Sequence, residues 1–190
     1  MADTGYRFPT GDSASTGTWT NPAQVSSNDA NVAVCKISTK NTSSFRIQTN
    51  YGFTTSIIAD VDTIDQVLLQ VEWRVTTNTG IARLGVSPMV SGVRLSTYSN
   101  LDEPTSLTTD TYDITGTTSW SPPLLRDGVF QTMLVPSNGN NATDPGYQFD
   151  YVALDVLYTP FVAPAQRVLR SACNLDGVGP DGLLLGNALE

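Results

Sequence analysis

The residues best placed to do chemistry here are carboxylates, because the 190-residue chain contains no histidine. That absence removes the commonest general base, the commonest metal ligand and every Ser-His or Cys-His nucleophile pair. The densest acidic stretch is "DVDTID", where Asp60, Asp62 and Asp65 present oxygens at the close spacing a calcium loop needs. The stretch lacks the glycine and the distant glutamate of a helix-loop-helix site. It also lies where a turn must feed a long strand, a place where Asp commonly serves the backbone. These three are the weak metal candidates, and no cofactor is expected. Asp110 and Asp113 flank Tyr112, and Asp144 and Asp150 bracket a Pro-Gly turn. A glycosidase would need such a pair held about 5 to 10 Å apart across a cleft. The only glutamates are Glu72, on the outer face of a strand, Glu103, in a loop, and Glu190. All are expected to be solvated carboxylates, so no catalytic residue is assigned and no enzyme is expected.

Aromatic residues offer a second kind of site. Trp19 in "GTWTNP", Trp120 in "SWSPP" and Tyr98 stand in loop-like contexts and are the candidate glycan contacts, since exposed rings can stack on sugars. The plainer expectation is that each covers an open end of the core, while Trp73 belongs inside it. The sequons at Asn41 and Asn141 imply nothing without a secretory route. "GVGPDG" has no Lys, no preceding parallel strand and no following helix, so it is not a phosphate loop. Cys35 and Cys173 are too few for a disulfide framework and read as reduced thiols, one in a strand and one in the tail. A bridge between them would require the tail to fold back onto residues 32 to 38.

Composition narrows the partners. Acids outnumber bases 18 to 10, giving a net charge of -8, and the only lysines, Lys36 and Lys40, sit in no basic run. A phosphate-backbone binder needs clustered Lys and Arg, so nucleic acid is not expected. No window approaches the roughly 20 apolar residues that span a bilayer, so no membrane partner is expected either. The amino terminus shows no basic region followed by an apolar stretch, which makes synthesis in a cytoplasm the expectation.

The elements that must position these residues are strands. In "TIDQVLLQVEWRVTT", Val67, Leu69, Val71, Trp73 and Val75 share one face, while Gln66, Gln70, Glu72 and Arg74 share the other. A period of two sustained this long is a half-buried antiparallel strand. "TNTG" then reads as a hairpin turn into "IARLGVSPMV", where Pro88 suggests an edge or bulge, and Ser91-Gly92 turns the chain again to complete a meander. "NVAVCKIS", "SSFRIQTNYGFTTSI", "SLTTDTYDIT", "VFQTMLVPS" and "YQFDYVALDVLYT" continue the theme, the last with a phase slip near Tyr151. The fold class is all-β: an antiparallel β-sandwich or jelly roll of about eight or nine strands over residues 1 to 159.

Residues 160 to 190 differ, mixing Pro, Gly and Leu without alternation. They carry Phe161, Val162, Val168, Leu169, Leu175, Leu183, Leu184 and Leu185. Apolar area left in water favours association at about 25 cal/mol per Å² buried. The segment therefore reads as an extended docking arm that packs on a second copy or on another protein, and a homo-oligomer is expected.

The order of landmarks resembles a known family. "YRFPTGDSASTGTWTNPAQVSSNDANVAV", "FTTSIIADVDTIDQVLLQVEWRV" and "DYVALDVLYT" are similar to segments of small β-sandwich virion proteins of tailed phages, especially phages of actinobacteria. The likeness spans most of residues 6 to 159, and its motifs mostly specify turn and core positions. Many such proteins carry a Gly-Gly-Trp-Gly-like turn where this chain has "TSWSPPLLRDG". The resemblance implies a structural part of a virion, a minor tail protein assembled in the host cytoplasm, with other virion proteins as partners. It carries no functional residue across. The alternatives are a capsid decoration protein or a carbohydrate-binding, receptor-recognition module.

Overall fold

A computed structural model describes residues 1–140 and 143–163. In chain order the strands are β1 (Ala2–Asp3), β2 (Gly11–Ser15), β3 (Thr18–Thr20), β4 (Ala33–Lys36), β5 (Thr42–Ser43), β6 (Arg46–Thr49) and β7 (Thr63–Val75). They continue as β8 (Arg83–Val90), β9 (Val93–Arg94), β10 (Tyr98–Asn100), β11 (Thr108–Asp113), β12 (Phe130–Asn138) and β13 (Tyr147–Thr159). Eight of these thirteen run four residues or longer, and those eight match the strands expected from alternation apart from the polar β2. Three short 3₁₀ turns, Pro22–Val25, Thr115–Thr117 and Pro122–Leu125, are the only helical pieces among the described residues.

Two antiparallel sheets pack face to face. One runs β11-β7-β13-β4-β3 with β1 added beside β13, and the other runs β10-β8-β12-β6-β2 with β5 and β9 on its flanks. The chain changes sheet at β1 to β2, β2 to β3, β4 to β5, β6 to β7, β7 to β8, β10 to β11, β11 to β12 and β12 to β13. That repeated crossing is the jelly-roll pattern of the sandwich class.

The expected hairpin through "TNTG" is not present: β7 and β8 lie in different sheets. The physical reason is Glu103, which is buried rather than solvated. Its carboxylate accepts from the backbone N–H of Ala82 at 2.5 Å and from that of Thr79, and Val75 N–H donates to Pro104 O at 2.8 Å. The corner's amides are thus bound by a side chain and a loop carbonyl, so the chain can cross between layers without a ladder. The next turn is a true hairpin, with Val90 opposite Val93 and positive φ at Ser91 and Gly92. Pro88 does not mark an edge either. β8 is an interior strand, and Pro88 falls where its outer neighbour changes from β9 to β10, so its missing N–H interrupts no continuous ladder.

The alternation of β7 works as expected: Val67, Leu69, Val71, Trp73 and Val75 are fully buried. Opposite them β13 supplies Val152, Leu154 and Val156, with the register shift between Phe149 and Tyr151 realigning its two halves. Trp73 stacks on Tyr147 at 6.0 Å and Tyr147 on Phe149 at 6.3 Å, which makes this the aromatic centre of the core. Cutting Trp73 to Ala would cost about 3–5 kcal/mol.

The two layers meet along two long rims. On one, β10 faces β11; on the other, β2 faces β3 and the Pro22–Val25 turn. The second rim is unusual. Leu134 and Thr132 of β12 point between the sheets, and their β6 partners are Arg46 and Gln48. These two polar side chains therefore face inward, and Ile47, opposite Met133, lies on the other face.

Candidate functional site

The three aspartates expected to be metal candidates are not brought together on one ion site. Asp60 pairs with Arg126 at 2.6 Å. Asp62 accepts from Ala59 N–H at 2.7 Å and from Phe161 N–H at 2.9 Å, closing its own turn and holding the chain just beyond β13. Asp65 accepts from the Thr159 hydroxyl at 2.8 Å. Each carboxylate thus serves a separate structural contact, and no group of three metal-ligating side chains forms among the described residues.

The other acids also correct the expectation of simple solvation. Asp110, on the β10–β11 rim, accepts from Trp73 Nε1–H at 2.6 Å and Asn100 Nδ2–H at 2.5 Å. Asp144 caps Ile37 N–H and Gly146 N–H at 3.0 and 2.9 Å. Asp113 is held below the usual carboxylate range by the Thr115 side chain, then by the Thr115 N–H and Gln66, from both of which it accepts. Asp150 and Asp155 are buried on β13. Burial pushes the Glu72 carboxyl up, and contact with Asp150 adds to the rise; Asp155 is raised in the same way, by burial and then by Asp3. Carboxyl groups in direct contact cannot flank a scissile bond, which needs a separation of at least about 5 Å.

The candidate glycan aromatics are held by the core. Trp19 donates Nε1–H to Thr16 O at 3.0 Å and packs on Phe149 at 5.6 Å. Tyr98 packs on Tyr112 at 5.1 Å and donates to Asp113 O at 3.3 Å; Trp120 packs on Phe130 at 5.8 Å and donates to Ile114 O at 3.0 Å. Trp19 and Tyr98 stand on opposite rims, so the three form no shared platform. Cys35 is buried in β4, where loss of solvation pushes its thiol up to about 11. Of the arm residues, Phe161 and Val162 are exposed, at 59% and 83%. Val168, Leu169, Leu175, Leu183, Leu184, Leu185 and Cys173 lie outside the described residues.

What single-sequence reasoning missed is the β2–β3 rim. Arg46 Nη2 pairs with Asp12 at 3.0 Å, and its guanidinium lies over the Trp19 ring at 5.8 Å. Burial lowers the Arg46 pKa, and the Asp12 charge opposes that fall. Gln48, 1% exposed, sits directly opposite Asp12. With Thr10, Pro22 and Ser26 these side chains line a cleft of about 140 Å³ between the layers. Thr10 and Ser26 also line an outer groove of about 480 Å³, together with Tyr6, Arg7, Phe8 and Tyr51. A third depression, of about 540 Å³, lies at a loop end between Asn41, Ile81 and Ser137. The signal in the sequence was weak: "FRIQT" shows only two polar residues around an isoleucine.

No protein-family model matches the chain, and no curated protein matches it. Among solved structures it is similar to a cyclase from Fischerella sp. TAU, at 16% identity and a TM-score of 0.46 over 83% of this chain and 74% of that one. It is also similar to the C-terminal CBM6 of LamC, a marine laminarinase from Zobellia galactanivorans, at 10% identity and TM-score 0.42 over 78% and 96%. A family 35 carbohydrate binding module from an environmental isolate gives 14% identity and TM-score 0.39 over 86% and 100%. At these identities and scores neither ligand nor activity carries over.

Proposed function

We propose that this chain is a non-catalytic building block of a tailed-phage virion, a minor tail protein joined to its neighbours through residues 160 to 190. The observation that supports this most is how the chain leaves the sandwich. The core is complete by Val156, and β13 then delivers Phe161 and Val162 outward, at 59% and 83% exposure. Asp62 fixes their root through the Phe161 N–H, and its neighbour Val61 is itself 64% exposed. An apolar exit of this kind gains most when a second protein covers it. Asp60, Asp62, Asp65, Asp110 and Asp144 are committed to structural contacts, and Trp19, Tyr98 and Trp120 pack on other rings, which suits a part that is assembled.

The test is truncation. A chain ending at residue 159 should stay folded and soluble, and should be absent from purified particles of a phage that carries it in place of the full chain. Normal incorporation of the truncated chain would refute the arm. Electron microscopy of the intact particle should place the protein on the tail; density on the capsid surface would make it a decoration protein instead.

A further inference from the structure

The β2–β3 rim holds polar groups for which the fold itself gives no use. Gln48 Nε2 and Arg46 Nε are buried without a hydrogen-bond partner, in residues 1% and 5% exposed, and both residues line the inner cleft. Arg7 Nε is likewise buried and unpartnered, and Arg7 lines the outer groove. Leaving a buried donor unsatisfied is destabilising, because its bond to water is lost and not replaced. Inward charges can serve to blunt a sheet edge, as Arg46 with Asp12 beside β2 would. That role explains the ion pair, but not the idle amide of Gln48.

We propose that this rim is a saccharide-binding site, with the hydroxyl-bearing edge of one neutral sugar unit entering the inner cleft and the rest of the ligand along the outer groove. The chemistry of the walls selects that class. Gln48 Nε2 and Arg46 Nε need acceptor oxygens, while Asp12, 45% exposed on its side chain, can accept from a hydroxyl. A hydroxyl group does both at once, and a vicinal pair spans two such partners. Because Arg46 and Asp12 neutralise each other, the inner cleft has no excess positive charge to favour an anion. Pro22 and Ala23 give an apolar wall for the C–H face of a ring, and Tyr6, 40% exposed, stands over the outer groove. Together the two depressions are within the range of small-molecule sites. Trp19 acts behind this surface, bracing the Arg46 guanidinium. The inference stands independently of a virion role.

The test titrates the full-length, isotope-labelled chain with methyl glycosides of glucose, galactose, mannose, N-acetylglucosamine and rhamnose, with methyl glucuronide as the charged arm. At least one neutral glycoside should bind saturably and shift the Gln48 side-chain amide resonance. Gln48→Met, which keeps length and removes the donor, should weaken that binding about tenfold while leaving the melting temperature unchanged or higher. Three results would each overturn the site: no neutral glycoside binding at millimolar concentration, so that water alone fills the cleft; equal binding by Gln48→Met; or binding confined to the glucuronide.

Discussion

The two rims of the sandwich solve the same problem in opposite ways. Where β10 meets β11, Tyr98 packs on Tyr112 and a single carboxylate, Asp110, collects the indole N–H of Trp73 and the amide of Asn100. One hydroxyl there, Tyr112 Oη, is buried without a partner, but none of these residues lines any of the three depressions described. Where β2 meets β3, the space between layers is filled by Arg46, Asp12 and Gln48, which line a cleft, and the buried donors Arg46 Nε and Gln48 Nε2 are left without a partner. One rim commits most of its polar atoms to holding the core; the other leaves two donors unpartnered beside a cleft. Stability and recognition are therefore separable in this fold, and substitutions should tell the rims apart.

The largest effect is expected at the aromatic rim. Asp110→Ala strands the buried Trp73 Nε1–H and should cost about 3 kcal/mol in a urea-denaturation measurement. A loss no greater than that of an ordinary surface change would mean that the rim does not anchor Trp73. At the polar rim the matching change, Asp12→Ala, should cost only about 1 kcal/mol, because Asp12 is half in water. Should it prove the costlier of the two, the contrast between the rims would be reversed.

Alkaline pH probes what lies beneath the polar rim, since Cys35 pairs in register with Trp19. Burial raises its thiol from the ordinary 9.0 to about 11, so the folded chain keeps a proton that the unfolded chain gives up. The stabilisation is full below pH 9 and is lost as pH rises through 11. Cys35→Ala should flatten that part of the stability curve, leaving the slope of the buried tyrosines. In a Cys173→Ser background, Cys35 should resist thiol reagents until the protein unfolds; rapid labelling of the folded protein would show that water reaches the core through this rim. A small effect of opposite sign is expected of Gln48→Met, which should raise stability by up to about 1 kcal/mol by removing an idle buried donor. The corresponding change on the aromatic rim, Tyr98→Phe, gives up a long 3.3 Å bond and should lose about 0.5 kcal/mol.

These contrasts also show what a sequence of this kind reveals. β7 and β13 are legible to within a few residues because β7 alternates buried and half-buried side chains from Val67 to Val75 and β13 is a long, almost continuously buried apolar run, and even the register slip at Tyr151 leaves a phase change in the sequence. β2 and β3 are not, because "GDSAS" and "TWT" lie at sheet edges and have no apolar face to alternate. The assignment of β7 and β8 to different sheets was hidden because Thr-Asn-Thr-Gly suits either a hairpin or a crossing. What decides is Glu103, more than twenty residues away in sequence. At Arg46 and Gln48 alternation misleads: taken alone it would turn Ile47 inward, and the structure turns it outward. A polar residue on an inner face leaves no local trace, so the candidate site was the least legible part.

The pairing of Ala2 with Tyr158 and of Asp3 with Leu157 has a practical meaning for anyone handling this molecule. Both ends of the sandwich emerge at one pole, so it can be spliced into a host loop as a cassette whose entry and exit points nearly coincide. A purification tag placed before residue 1 would crowd the root of the segment beyond Thr159. The Ser91-Gly92 hairpin, which belongs to the opposite sheet, is the safer position for a label.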